Sequence, residues 1–144
     1  MKINIKRFDE LTTAELYEIL RCRAEVFVVE QKCQYQDIDN LDRLSTHVYI
    51  EKDGKILSYL RVIDPGVKFP ETSIGRVLVM KEARGQGLAR RMMAEAIRIA
   101  KEKAPAIEIE AQAYLKDFYK SLGFVETSGE FLDAGIPHIA MRLE

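Results

Sequence analysis

Tryptophan is absent from this sequence, and cysteine and histidine occur only twice each, as Cys22, Cys33, His47 and His138. None of the short paired spacings of zinc frameworks can be built from these four, so no metal site is expected. A structural disulfide is not expected either, because Met1–Arg7 lacks the apolar stretch of an export signal and cytosolic thiols are kept reduced. Long apolar runs are missing too. Nothing approaches the ~20 residues of a membrane span, so the expected location is cytoplasmic with no membrane partner. An excess of one charge is the last absence. With 22 basic against 23 acidic side chains the formal charge is -1, which leaves no global field to draw nucleic acid or an anionic surface.

What is present suits a globular enzyme or binding domain. Hydrophobic residues make up 47% of the 144, enough for one core, and no linker or repeat divides the chain, so residues 1–144 are expected to form a single domain.

Ile3 and Ile5 alternate with polar residues as a first strand. Thr12 and Glu15 form a capping box, with Leu11 and Leu16 at staple positions, which predicts a helix from Thr13 with Leu16, Ile19, Leu20, Ala24 and Phe27 along its apolar stripe. Residues 30–45 read as a long polar loop with a helical turn; its Asp37, Asp39 and Asp42 read as exposed charge or as an attractor for a cationic amine. Val48 to Ile50, a turn at Asp53-Gly54, and Ile56 to Ile63 form a hairpin. Ile74 to Met80 makes another strand, Leu88 to Lys103 an amphipathic helix, Ile107 to Ala111 a strand, and Leu115 to Leu122 a short helix closed by Gly123. Two late strands follow, near Phe124 and from His138 to Leu143.

Arg84-Gly85-Gln86-Gly87-Leu88-Ala89 lies between an apolar strand and the amphipathic helix, where a glycine turn and the helix N-terminus can present N–H groups to an anion. A turn needing glycine only for its dihedral angles has the same appearance. A nucleotide triphosphate loop would require Lys and then Ser or Thr after its last glycine, and Leu88-Ala89 stand there. A dinucleotide fingerprint would place its third glycine where Arg90 stands.

This segment resembles the Arg/Gln-x-x-Gly-x-Gly/Ala pyrophosphate loop of the GNAT superfamily of acyl-CoA-dependent acetyltransferases. Tyr119-Lys120-Ser121-Leu122-Gly123-Phe124 is similar to the Tyr-x-x-x-Gly-Phe segment that follows it there. Arg23-Ala24-Glu25-Val26-Phe27-Val28-Val29-Glu30-Gln31, Ala111-Gln112-Ala113 and Phe131 to His138 resemble the ElaA-like branch, and the Arg-x-x-Val-Phe portion also resembles acyl-homoserine lactone synthases. The resemblance implies an α/β fold (α+β in some schemes), GNAT-like, with a mixed, mostly antiparallel central sheet of about six to seven strands and helices on both faces.

It further implies acetyl-CoA as cosubstrate without a metal, and direct acetyl transfer to a primary amine of a small molecule or peptide, by a monomer or homodimer. Arg84 to Ala89, Leu78, Val79, Gln112 and Tyr119 would contact the cofactor, with backbone N–H groups of Leu78 and Val79 polarising the thioester carbonyl and Tyr119 as general acid. An arbitrary tyrosine is more simply read as capping the core, and the motif position of Tyr119 reverses that preference. Gln112 stands where many members have Asn. Glu108 and Glu110, on one strand face, are candidate bases; Glu25, Glu30, His47 and His138 are further candidates on the substrate side. A non-catalytic acyl-CoA-binding regulatory module is the alternative.

Overall fold

The computed structural model describes residues 1–144. Eight strands and three α-helices are arranged as two four-stranded sheets that meet along one short seam. β1 (Ile3–Arg7), β2 (Ser45–Lys52), β3 (Lys55–Ile63) and β4 (Ser73–Val79) form an antiparallel meander in that spatial order. In the second sheet β8 (Ile136–Leu143) is central, flanked by β5 (Ile107–Gln112), β6 (Val125–Glu126) and β7 (Phe131–Asp133), all antiparallel to it.

Helices cover both faces, as expected. α1 (Thr13–Arg23) starts at Thr12, whose hydroxyl accepts from the Glu15 N–H while the Glu15 carboxylate accepts from the Thr12 N–H. It packs Ile19 and Cys22 on Tyr49, Ile56, Tyr59 and Leu78 of the meander. α2 (Leu88–Lys103) lies on the opposite face, with Leu88, Met92, Met93 and Ala96 against Val48, Ile50, Leu60 and Val62. Strand alternation explains the division: Val48 and Ile50 point one way and Tyr49 the other. No helix is long and apolar enough to cross a membrane.

α1 continues into a π-helical stretch, Ala24–Glu30, marked by the bond from the Gln31 N–H to the Val26 carbonyl at 3.0 Å. The buried face continues through it as Ile19, Cys22, Arg23, Val26 and Phe27, while Ala24 is exposed. The expected stripe is corrected at Ala24: Arg23 takes the buried position instead, because Asp37 and Asp42 pair with its guanidinium. The strand count also changes. β7 was not legible because three residues carry no periodicity; its turn is set by Ala134 and Gly135, at φ 52° and 76°.

β4 and β5 run side by side, and the backbone pairing between them is confined to one end, where Thr72, just before β4, pairs in parallel with Ile107 and its carbonyl accepts from the Glu108 N–H at 3.0 Å. Beyond that seam no ladder joins them, and the edges part. A bulge accompanies the parting: the β3 register skips between Tyr59 and Arg61, and Arg76 opposite is left-handed at φ 52°. Such bulges bend a strand and re-aim its side chains.

His47 on β2 is fully buried on the α1 face. Its Nε2–H donates to the Asp42 carbonyl at 2.9 Å, and Nδ1 accepts from the Tyr59 hydroxyl at 2.7 Å. Burial lowers its pKa and, with the charges of Arg23 and Arg61, outweighs the opposing hydrogen bond to the Asp42 carbonyl and the Asp42 charge. The unfolded chain therefore takes up a proton near pH 6.5 that the native imidazole does not, so stability is complete above that pH and declines as pH falls through it, by up to about 1.4 kcal/mol per unit. Urea unfolding at pH 7, 6 and 5 should show a falling midpoint; a constant midpoint would contradict this account.

Candidate active site

The parted edges of β4 and β5 enclose a cavity of about 130 Å³. Val77 comes from β4 and Ile109, Glu110, Ala111 and Gln112 from β5, while Tyr119, His138, Phe27 and Gln31 close the remaining sides. Between β4 and α2, Arg84 to Gly87 turn the chain into the helix. Gly85 and Gly87 stand at φ 82° and 74°, and nothing lies within 4 Å of the position a Cβ would take at either. The glycines are thus required by the turn itself, and open space lies beside them. The backbone N–H groups from Gly85 to Arg90 donate to no protein atom; the first amide of this helix that bonds is Arg91, to the Gly87 carbonyl at 3.2 Å. A row of free donors at a helix N-terminus facing open space fits a phosphate group.

The orientation of β4 distinguishes its two sequence candidates. The Met80 N–H donates to the Leu57 carbonyl at 2.8 Å and the Leu78 carbonyl accepts from the Ser58 hydroxyl at 2.9 Å, so these alternate residues turn their backbone toward β3. Val79 faces the other edge, where its carbonyl accepts from Arg84 Nε at 2.9 Å. Arg84 also pairs with Glu30 at 2.8 Å.

Tyr119 belongs to α3 (Lys116–Ser121) and is 6% exposed. Its ring is clamped edge-on by Phe118 and Phe124, at 5.2 and 5.9 Å between centroids. Gly123, at φ 102°, folds the chain back so that the Phe124 N–H reaches the Tyr119 carbonyl, which is the physical content of the Tyr-x-x-x-Gly-Phe spacing. Tyr119 lines the cavity, and its hydroxyl makes no hydrogen bond within the protein. Burial pushes the phenol up to about 12, with a contribution from Tyr114, so it is protonated throughout the physiological range.

The other sequence candidates separate in space. His138, opposite Gln112 in the β5–β8 register, lines the cavity. Its Nδ1–H donates to the Ile136 carbonyl at 2.7 Å, because a carbonyl can only accept, and Nε2 has no protein partner; in the neutral ring that nitrogen carries the lone pair. Glu110 also lines the cavity but is 3.3 Å from Lys68. Gln112 donates from its amide to Gln31 at 2.8 Å. Glu108 lies outside the cavity, at the seam where the strands are still joined, near Thr127 and Arg142; burial raises its pKa, with Arg142 opposing. Glu25 and Glu30 border a different feature, an open charged groove of about 670 Å³ shared with Glu18, Arg21, Lys81 and Arg84. His47 is in the core, away from both.

The acidic loop is the main correction. Asp37, Asp39 and Asp42 are neither solvated nor vacant: they meet three arginines. Arg23 pairs with Asp42 at 2.6 Å and Asp37 at 3.1 Å, Arg61 with Asp39 at 2.5 Å and Asp42 at 2.9 Å, and Arg76 with Asp37 at 2.9 Å. Burial opposes ionisation of Asp39, but the hydrogen bond and charge of Arg61 outweigh it and hold the carboxyl at about 2. The loop becomes a fixed wall of the cavity. A signal for this existed in the sequence: Arg61 and Arg76 interrupt apolar strands, and buried charge requires a partner.

Residues 11–144 match the acetyltransferase (GNAT) domain family. A UPF0039 protein of Synechocystis sp. is 38% identical over 139 residues, covering 94% of this chain and 90% of its own. Escherichia coli ElaA is 34% identical over 140 residues, covering 94% and 92%, and its crystal structure superposes with a TM-score of 0.91 over 99% of each chain at 32% identity. An acyl-CoA N-acyltransferase from Pseudomonas aeruginosa superposes with a TM-score of 0.93 at 40% identity, again over 99% of each chain. A CoA-dependent acyl-homoserine lactone synthase shares the fold alone, at 15% identity and a TM-score of 0.78 over 97% of this chain and 81% of its own. The chain belongs to the GNAT acetyltransferase family, in the group that contains ElaA and the UPF0039 proteins.

Proposed function

We propose that this member of an acyltransferase family moves an acetyl group from acetyl-CoA directly to a primary amine in the cavity between β4 and β5. The observation that carries the proposal is the Tyr119 side chain, its hydroxyl free of protein partners, in the lining of that cavity; the free N–H groups from Gly85 to Arg90, in the turn that leads from β4 into α2, support it. Those N–H groups, with the α2 dipole, would hold the pyrophosphate, and the open edge of β4 would pair with the pantetheine arm. Acetyl-CoA supplies an activated thioester; everything else falls to the chain.

The Val79 N–H is the donor we assign to the thioester carbonyl, since Leu78 is turned toward β3. His138 Nε2 takes the amine proton as the C–N bond forms. The C–S bond breaks, and the Tyr119 proton passes to the departing sulfur. A phenol at about 12 is a weaker acid than a free thiol with reference pKa near 8.5. The buried setting also raises the proton affinity of the thiolate, which narrows the gap. Much of the acceleration in this scheme is positioning of two reactants in a closed space.

Two measurements test the scheme together. Acetyl-CoA at a hundredfold excess over its dissociation constant should stabilise the protein by about 2.7 kcal/mol in a thermal or urea titration. Adding a panel of primary amines should then release free thiol. Stabilisation with no thiol release from any amine would favour a non-catalytic acyl-CoA-binding module, and no stabilisation would refute cofactor binding.

A further inference from the structure

The wall of the cavity includes three cations, Arg61, Lys68 and Arg76, and their hydrogen bonding differs. Arg61 is sealed, with Nη1 on Asp39 and Asp42, Nη2 on Asp39, and Nε buried without a partner. Lys68 stands against Glu110. Arg76 is different. Its guanidinium lies over the Tyr35 ring, 4.5 Å from the centroid. Nη2 donates to the Asp37 carbonyl at 3.1 Å and to Asp39 Oδ2 at 3.3 Å, while Nε sits 2.9 Å from Asp37 Oδ1 without hydrogen-bond alignment. Nη1 donates to no protein atom, and Nε is the one unpartnered atom of this side chain that is sealed from solvent. Arg76 therefore holds a guanidinium fixed on three sides whose remaining corner is accessible in the cavity wall.

The backbone adds a second observation. Arg76 occupies the β4 bulge at φ 52°, a conformation favoured by glycine, and the register skip opposite it re-aims its side chain. Strain at a non-glycine residue persists where surrounding contacts over-determine it, and here the contacts are the ion pairs and the ring that orient the guanidinium. Across the cavity, Glu110, Asp133 and the free Nε2 of His138 supply acceptors on the β5, β7 and β8 side.

We infer that the acyl acceptor is an amino carboxylate, whose carboxylate accepts from Arg76 Nη1 while its amine lies on the His138 side. The inference rests on the amine-acetylating role assigned to this cavity and names the class of acceptor. Because the three arginines and three aspartates balance, selectivity comes from one directed, charge-assisted hydrogen bond rather than from net positive potential, and its effect is roughly ten- to a hundredfold.

The test uses the full chain saturated with CoA, titrated calorimetrically with each standard amino acid and with its decarboxylated amine, such as phenylalanine with phenethylamine or lysine with cadaverine. Among pairs that bind, the carboxylate member should bind at least about tenfold more tightly. Arg76→Gln should abolish that preference while leaving the CoA dissociation constant unchanged. Since Arg76→Gln also unpairs Asp37 and Asp39, Arg76→Lys, which keeps a cation against both, is measured beside it and should reduce the preference in a protein of near-native stability. Equal or tighter binding of the decarboxylated amines, a preference unchanged in both variants, or binding of no amino acid would overturn the inference. Failure of the acetyltransferase scheme looks different: the carboxylate preference persists in binding, and acetyl-CoA with the same compounds releases no thiol.

Discussion

Asp42→Ala is expected to destabilise the protein by about 3–5 kcal/mol, the usual consequence of stranding buried charge. The carboxylate is 6% exposed and accepts from Arg23 Nη1 at 2.6 Å and Arg61 Nη1 at 2.9 Å, and both arginines are buried. Removing it leaves two guanidinium groups close together, sharing Asp37 and Asp39. A loss of that size is a large share of the ~5–15 kcal/mol that holds a domain together, and should lower the melting temperature by roughly 10 °C or more. Thermal melts and urea titrations of the purified variant measure it directly. A loss under about 1 kcal/mol would mean that the network is solvated in practice. The acid limb should change as well. The Asp39 carboxyl, held at about 2 in the native state, contributes stability that is present above its ordinary range near 3.9 and is lost as pH falls toward 2.

Tyr119→Phe is expected to lower kcat by roughly 10²–10⁴-fold, the range of general acid–base contributions. The same variant should keep its fold. The hydroxyl has no protein partner, so its removal strands no donor or acceptor, and the ring contacts with Phe118 and Phe124 are retained. The acetyl-CoA dissociation constant should change by less than about twofold, since the free N–H groups of the Gly85–Gly87 turn are untouched. His138→Gln, assayed beside it, should also lower kcat without weakening acetyl-CoA binding, because it removes the proposed acceptor of the amine proton. Thiol-release kinetics with a saturating amine separate these effects. Unchanged turnover in Tyr119→Phe would assign the tyrosine to packing alone.

Local chemistry made much of this protein legible. The Thr12–Glu15 capping box, the Asp53-Gly54 turn and the period of α2 are interactions between residues near in sequence, so the pattern carries them directly. The glycine turn at Arg84 to Ala89 and the Tyr119 to Phe124 segment were readable for the same reason: positive φ at Gly85, Gly87 and Gly123 is a property of single residues. The local signal failed where a long-range partner decided the outcome. Ala24 fell on the predicted stripe, but Arg23 beside it took the buried position, because Asp37 and Asp42 from the distant loop pair with it there.

Composition and spacing could place Asp37, Asp39 and Asp42 in one loop; which charges they would meet depended on how β3 and β4 pass beneath that loop. Three arginines from three elements converge there, and their burial turned a segment that reads as solvated charge into a wall of the cavity. The candidate bases were sorted in the same way. Glu108 and Glu110 share a strand face in any sequence reading, yet the Thr72–Ile107 seam keeps the first outside the cavity and lets the second line it. The sequence alone determined the helix starts, the turns, the glycine turn before α2 and the motifs that carry the family likeness, because each rests on contacts within a few residues. Only the tertiary structure decided where β4 and β5 part, which cavity arginine keeps an unpaired donor open to solvent and which histidine keeps a nitrogen without a protein partner, because burial and pairing are properties of the packed chain.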